Sequence, residues 1–301
     1  MRERFVPYYL YRRVKFMLGD KSPLACVLKI TSRCNLRCSH CPWWKETKED
    51  LPKEKWLEII DYAREQGCVL CIIEGGEPLL REDLNSVIEY AKKRMFVSVI
   101  TNGTVDFSRI SPDAVWVSVD GVGKTYEKIR GIDFEKVLEN VEKNANKHII
   151  ILMSISKSNI GDIEKVCEVF SPITKGIWFN FVYPYEGIQD IALNAEERRN
   201  VAERILKLKT RYKIINSESF LKSVGKEWKC RPWLTLNVSS CGRLHHGCTV
   251  EQIEECRCEE CDMSCYGEMS QAYGMKMDAV DFLKKSLGLE TEKIIFLRNK
   301  G

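Results

Sequence analysis

Six short runs rich in apolar and β-branched residues recur along the middle of the chain: ACVLKI (25–30), VLCII (69–73), FVSVI (96–100), VWVSV (115–119), IIILMSI (149–155) and GIWFNFV (176–182). Each is nearly continuous in apolar character rather than alternating, the pattern of strands buried on both faces. Between them lie segments with helical spacing, PKEKWLEIIDYAREQG (52–67), REDLNSVIEYAKKR (81–94), FEKVLENVEKNA (134–145) and IGDIEKVCEVF (160–170). Pro52 suits a first helical turn and Gly67 a C-terminal cap. Strand and helix alternating six times require parallel pairing with right-handed crossovers. The expected fold class is α/β, a partial (β/α)6 TIM-like barrel.

In parallel α/β architectures chemistry collects at the carboxyl ends of the strands. Those ends carry polar and glycine-rich pieces here: a cysteine triplet after the first strand, EGGEP after the second, TNG after the third, DG after the fourth and SKSN after the fifth. Glycine at such places lets backbone approach a ligand closely.

The triplet, in KITSRCNLRCSHCPWW (29–44), sets Cys34, Cys38 and Cys41 in a C-x-x-x-C-x-x-C spacing. No run of about 18 apolar residues and no signal-peptide core is present, which leads to the expectation of a cytoplasmic protein. In a reducing compartment, clustered cysteines read as metal ligands or redox centres rather than disulfides. The chain has 14 cysteines. Cys26, Cys68, Cys71 and Cys167 sit inside apolar runs and read as small buried hydrophobes. Three thiolates can hold three corners of a cubic iron-sulfur cluster that otherwise takes four cysteines, leaving one iron open. A structural zinc site is the competing reading, although closed zinc sites want four ligands, and His40 would have to serve from within the same tight loop. The 47 basic and 43 acidic residues are too evenly balanced to announce a nucleic-acid partner.

CNLRCSHC followed in order by EGGEPLL, TNG, SVDG and SKSN resembles the radical S-adenosylmethionine (SAM) superfamily over about residues 23–215. The resemblance implies an enzyme whose [4Fe-4S] cluster, held by Cys34, Cys38 and Cys41, binds SAM at its open iron. Reduction then yields a 5′-deoxyadenosyl radical that abstracts hydrogen from a substrate. It also implies an electron donor such as a flavodoxin or ferredoxin. By the same resemblance Gly75, Gly76, Glu77 and Pro78 lie against the methionyl amino group, while Asn102, Ser118 and Asp120 meet the ribose or methionyl portion. Lys157 and Asn159 meet the SAM carboxylate or cap a turn, and His40 lies near adenine. Trp43, Trp44, Trp178, Phe179, Phe181, Tyr183 and Tyr185 are candidates for the wall of a dry substrate cavity or for ordinary core.

Seven further cysteines lie between Cys230 and Cys265. This stretch resembles the twitch or SPASM extensions that carry auxiliary iron-sulfur clusters, with Cys230 and Cys248 flanking a hairpin and Cys258, Cys261 and Cys265 completing one site. The pattern departs from a full SPASM set, since no further cysteine follows Cys265. A zinc ribbon is the rival for this region. Cys241 and Cys256 stay unassigned, and His245 and His246 read as loop residues. The expected organisation is an N-terminal amphipathic helix (1–22), the barrel (23–215) and a cysteine-rich domain ending in a helix (216–301).

Residues 8–18 place Leu10, Tyr11, Val14, Met17 and Leu18 on one helical face and Arg12, Arg13 and Lys15 elsewhere, which suits either packing on the barrel or rest on the inner face of an anionic membrane. This leader and the order of the later motifs resemble radical SAM enzymes that modify isoprenoid and hopanoid lipids, making a membrane lipid the first substrate expectation. Modification of a ribosomal peptide or protein side chain is the alternative within the enzyme class; a zinc-binding interaction protein is the alternative outside it.

Overall fold

The computed structural model describes residues 11–12, 14–45 and 49–288. Leu10 and Arg13 lie outside the described residues. Six strands form the expected parallel array: β1 (Ala25–Thr31), β2 (Leu70–Gly75), β3 (Phe96–Thr101), β4 (Ala114–Ser118), β5 (Ile149–Ile155) and β6 (Gly176–Phe181). They pair in chain order, and β1 does not meet β6, so the barrel is an open arc.

Helices α1 (Lys53–Glu65), α2 (Leu84–Lys92), α3 (Lys124–Arg130), α4 (Phe134–Lys143), α5 (Ile163–Phe170) and α6 (Ala195–Leu208) cross over between or after the strands. Pro52 is the N-cap of α1, and Gly67 follows its end with a left-handed φ of 103°. The strand–helix alternation is not strict. Residues 102–113 run from β3 to β4 without a helix, and buried Phe107 and Ile110 fill the space a helix would cover. The stretch holds Gly103, Pro112, Asp106 with Ser108 and Ser111 with Asp113, and has no apolar stripe at helical spacing, which explains why it stays irregular.

The sheet separates two cores. Cys26, Leu28, Ile30, Cys71, Ile73, Val97, Val99, Val115, Val117, Ile151, Met153, Phe179 and Phe181 pack under the helices, with Cys68 and Cys167 among them as small hydrophobes. Side chains one residue out of step, among them Ala25, Leu70, Phe96, Ala114, Trp116, Ile150 and Trp178, face the concave lumen. Phe179 and Phe181 therefore belong to the helix-side core rather than to a cavity wall.

The C-terminal part joins the same sheet. β7 (Thr235–Val238) pairs in parallel with β1 on the edge away from β2, and β8 (Leu244–His246) pairs antiparallel with β7. This is the hairpin expected between Cys230 and Cys248. His245 and His246 thus lie in a strand rather than in a loop, and His245 Nε2 is 3.0 Å from Glu251. After the short helix α7 (Glu218–Leu221), helices α8 (Ser264–Tyr273) and α9 (Met277–Ser286) close the amino-end floor of the lumen. Met269, Ala272, Tyr273, Val280, Phe282 and Leu283 pack there against the lumen-facing starts of the strands. Residues 11, 12 and 14–17 are helical; Phe16 stacks on Trp233 and meets the edge of Tyr273, and the Arg12 guanidinium binds the carbonyls of Ser22 and Gly67. The floor is sealed.

Candidate active site

The cysteine loop leaves β1 at Thr31 and is pinned from three sides. Thr31 Oγ1 accepts the Arg33 N–H at 3.0 Å and donates to Asp50 at 2.6 Å, while Arg33 pairs with Asp50 at 2.6 Å. Asn35 donates to Thr104 Oγ1 and accepts from Asn102 Nδ2, both at 2.8 Å, which ties the loop to the end of β3. Ser39 N–H reaches the Ile129 carbonyl at 3.0 Å, which ties it to α3. Cys38 is buried while Cys34 and Cys41 are half-buried. Burial pushes the Cys38 thiol up to about 11, with Arg130 opposing the rise, and raises Cys41 in the same way. Such thiols stay protonated until a metal displaces the proton.

The β2 end presses directly on this loop. A Cβ on Gly76 would stand 2.1 Å from the Arg33 carbonyl oxygen, and one on Gly75, whose φ is 136°, 2.4 Å from that of Thr31. No other residue fits this approach. Glu77 is fully buried; burial raises its carboxyl, while the N–H groups of Asn102 (2.7 Å) and Leu79 (3.0 Å) and the Thr101 hydroxyl (2.8 Å) support the anion. Pro78 opens the short turn that follows.

Asp120, just beyond β4, is fully buried and accepts Arg130 Nε at 2.7 Å, a second Arg130 nitrogen at 2.6 Å and the Ser154 N–H at 2.8 Å. His40 Nε2 stands 3.5 Å from the same carboxylate. Burial lowers His40 below its usual value, outweighing the pull of Asp120, so the ring is neutral near pH 7. Ser118 is buried on the neighbouring turn of the strand. Asn159 is committed to the local backbone: its amide donates to the Asp120 and Ser154 carbonyls and accepts the Ser156 N–H. Lys157 is exposed, and its backbone N–H donates to the Ile191 carbonyl. The structure thus brings Cys34, Cys38, Cys41, His40, Gly75, Gly76, Glu77, Asn102, Ser118 and Asp120 to one edge and leaves Lys157 at its rim. Arg130, absent from the sequence assignment, completes that edge. Its signal was a lone arginine on the apolar face of a helix, beside Tyr126 and Ile129.

A second thiol group lies on the far side of the lumen mouth. Cys248, Cys261 and Cys265 pack around Tyr183, Tyr185 and Tyr266, and Cys230 lies within electrostatic reach of Cys261, Cys248 and Cys258. Cys256 belongs to the same group, with its sulfur 3.6 Å from that of Cys258 and a thiol hydrogen bond to Cys248. Cys241 sits apart in the β7–β8 turn, 3.2 Å from Ser239 Oγ. Among the described residues no three His, Cys, Asp or Glu side chains form a cage for a single ion. In the first loop Cys34, Cys38 and Cys41 lie within electrostatic reach of one another, and three thiols gathered in one loop are donors that fit three irons of a cluster.

Residues 28–170 match the model of the Radical SAM superfamily. This segment, just under half of the chain, is a radical SAM domain. A domain of this kind uses a [4Fe-4S] cluster and SAM, and enzymes built on it need a one-electron donor. The chain is similar to Fe-coproporphyrin III synthase of Methanosarcina barkeri, 29% identical over 208 residues that cover 62% of this chain and 51% of that protein. It is also similar to the sporulation killing factor maturation protein SkfB of Bacillus subtilis, 28% identical over 165 residues covering 50% and 40%. The radical SAM chain thus spans about half the length of these curated relatives. Among solved structures, Streptococcus suis SuiB bound to precursor peptide SuiA superimposes with a TM-score of 0.67 over 88% of this chain and 69% of that one, at 14% identity. That likeness establishes the fold.

Proposed function

We propose that the chain cleaves SAM reductively at a cluster held by Cys34, Cys38 and Cys41 and removes a hydrogen atom from a peptide admitted to the lumen. The bound cluster and SAM supply the radical chemistry; the protein's own residues position, enclose and keep water out. Gly75, Gly76, Glu77 and Pro78 cradle the methionyl amino group, with Glu77 retaining free lone pairs beyond its three internal donors. Asn102 and Ser118 face the ribose side. Asp120, neutralised by Arg130, orients His40 beside adenine rather than binding a diol itself. Asn159 holds the Asp120 and Ser154 backbone in place, and Lys157 stands at the rim.

What supports the reading is that the cross-strand pair Lys29 and Glu74 links the two thiol groups: Cys41 acts on Lys29, and Glu74 acts on Cys265. One auxiliary iron-sulfur cluster on the second group, drawn from Cys230, Cys248, Cys258, Cys261 and Cys265 with Cys256 now added, would sit across the substrate from the first. In this reading residues 11–22 brace the floor, 23–215 form the radical SAM unit and 216–288 carry the auxiliary site on a shared sheet. The family match sets aside the zinc-binding interaction protein. Peptide chemistry is supported by SkfB, named for maturation of a killing factor, and by SuiB, solved with a precursor peptide.

A lipid substrate is the second reading, favoured by the exposure of Tyr11 (53%), Val14 (58%), Met17 (76%) and Leu18 (82%), which would rest on a membrane face. Among the described residues no helix is long and apolar enough to cross a membrane. Anaerobically reconstituted protein given SAM and dithionite should form 5′-deoxyadenosine above the uncoupled rate with a library of short synthetic peptides and not with extracted membrane lipids. The reverse result replaces the peptide by a lipid, and no 5′-deoxyadenosine under any condition defeats the proposal.

A further inference from the structure

Side chains of successive strand residues point to opposite faces. On β1 and β2 the helix-side face takes Leu28, Ile30, Cys71 and Ile73. Lys29 and Glu74, cross-strand partners in the parallel register, therefore both point into the lumen. Their situations differ. The Lys29 ammonium lies 3.1 Å from the centroid of the Trp43 ring and 3.3 Å from both Thr249 Oγ1 and Gln252 Oε1, so it is held by the protein. Burial pulls it down to about 8. Glu74 has no such company: burial raises its carboxyl, only the charge of Lys29 opposes that, and no donor among the described residues reaches its oxygens.

A carboxylate walled in by protein without a hydrogen-bond donor is costly, and one donor supplied from outside removes much of the cost. Glu74 is half-buried, so part of its side chain stays accessible. It is felt by Tyr185 and Cys265 on one side, while its partner Lys29 is felt by Cys41 on the other. The cross-strand pair of Lys29 and Glu74 thus bears on both thiol groups. Half-buried Ile72, Ile100 and Leu152 pave the lumen beside it.

We infer that Glu74 is a substrate-anchoring residue that accepts a hydrogen bond from an N–H or O–H group of the substrate inside the lumen. The apolar paving calls for an aliphatic portion next to that donor, and the nearby Lys29 charge favours a neutral amide or hydroxyl over an ammonium. A backbone amide flanked by an aliphatic side chain meets both conditions. The inference rests on the radical SAM reading above and narrows its substrate class.

Two shape-matched probes test it, butanamide and pentan-2-one, each deuterated on every carbon. Both carry a carbonyl, and only the amide can donate. Reconstituted holoenzyme is incubated with SAM, dithionite and either probe, and deuterium in 5′-deoxyadenosine is read by mass spectrometry. One electron from dithionite breaks the C5′–S bond of SAM to give methionine and the 5′ radical, a carbon–deuterium bond of the probe breaks and the same deuterium joins the 5′ carbon, and the probe radical takes a second electron from dithionite and a proton from water. Wild-type protein should take deuterium from the amide about tenfold more than from the ketone, the scale of one hydrogen bond to a charged group. Glu74→Leu should bring the ratio to about one, and Glu74→Gln, which keeps shape and a weaker acceptor, to a value between. A wild-type ratio near one, or a ratio unmoved in either variant while 5′-deoxyadenosine still forms, overturns the inference alone. No 5′-deoxyadenosine from wild-type protein overturns it together with the reading beneath it.

Discussion

Replacing Arg130 by methionine should destabilise the protein by about 3 kcal/mol. Both partners of the Asp120–Arg130 pair are buried, and two guanidinium nitrogens at 2.7 and 2.6 Å converge on one carboxylate oxygen. Removing one member of such a pair typically costs about 3–5 kcal/mol, because a charge is left in a dry site. The lower end applies here. The other oxygen keeps the Ser154 N–H at 2.8 Å, and His40, 3.5 Å away, can take up a proton to replace part of the lost charge. Urea unfolding of the metal-free chain under anaerobic conditions, followed by tryptophan fluorescence, measures the change as a shift in midpoint at constant slope. The double variant Asp120→Leu/Arg130→Met should recover most of the loss, since it removes the orphaned charge along with its partner. A loss below about 1 kcal/mol for Arg130→Met, or a double variant no better than the single one, would refute the assignment of this pair as the electrostatic hub of the site.

Gly76→Ala drives a Cβ to 2.1 Å from the Arg33 carbonyl, so the cysteine loop must shift; at about 1–3 kcal/mol for an overpacked contact, SAM should bind about tenfold more weakly in equilibrium dialysis. Glu268 is fully buried, its Oε2 has no hydrogen-bond partner among the described residues, and burial raises its carboxyl to about 8 against 4.5 in the open chain. The folded state therefore holds a proton that the unfolded chain has released between those values, and stability falls as pH rises from about 4.5 to 8, by about 1.4 kcal/mol per pH unit at most. Glu268→Gln should flatten that slope in urea midpoints measured across pH; an unchanged slope would mean that Glu268 titrates normally. Converting Cys248 and Cys261 to alanine should remove about half of the iron and sulfide bound on reconstitution, and full retention by elemental analysis would exclude a cluster at the second thiol group.

The barrel was legible because its strands are buried on both faces and so carry an unbroken apolar signal, and because each strand end is punctuated by glycine or polar residues that no other part of the chain repeats. The β3–β4 connection was misread as a helical crossover for want of any local cue: its buried Phe107 and Ile110 cover the sheet from a loop, a tertiary arrangement with no period to detect. Asp120 was legible as a site residue but not as half of an ion pair, since Arg130 lies ten residues away on a different element and only the turn between them makes them meet. Lys29 and Glu74 were hidden inside motifs noticed for their neighbours. Their meaning depends on which face of the sheet they occupy, and on register across strands 45 residues apart. The C-terminal hairpin was anticipated, whereas its parallel pairing with β1 was not, because a strand of four residues says nothing of where it docks.

That docking makes the two halves of the chain mechanically one. With β7 seated along β1, the spacing between the two thiol groups is fixed by backbone ladder geometry rather than by a hinge, and any rocking of one against the other would have to break hydrogen bonds of the central sheet. A fragment ending before residue 230 would expose the full edge of β1, a sticky template for another chain. Such a truncation should precipitate as it is made, because β7 is what covers that edge of β1.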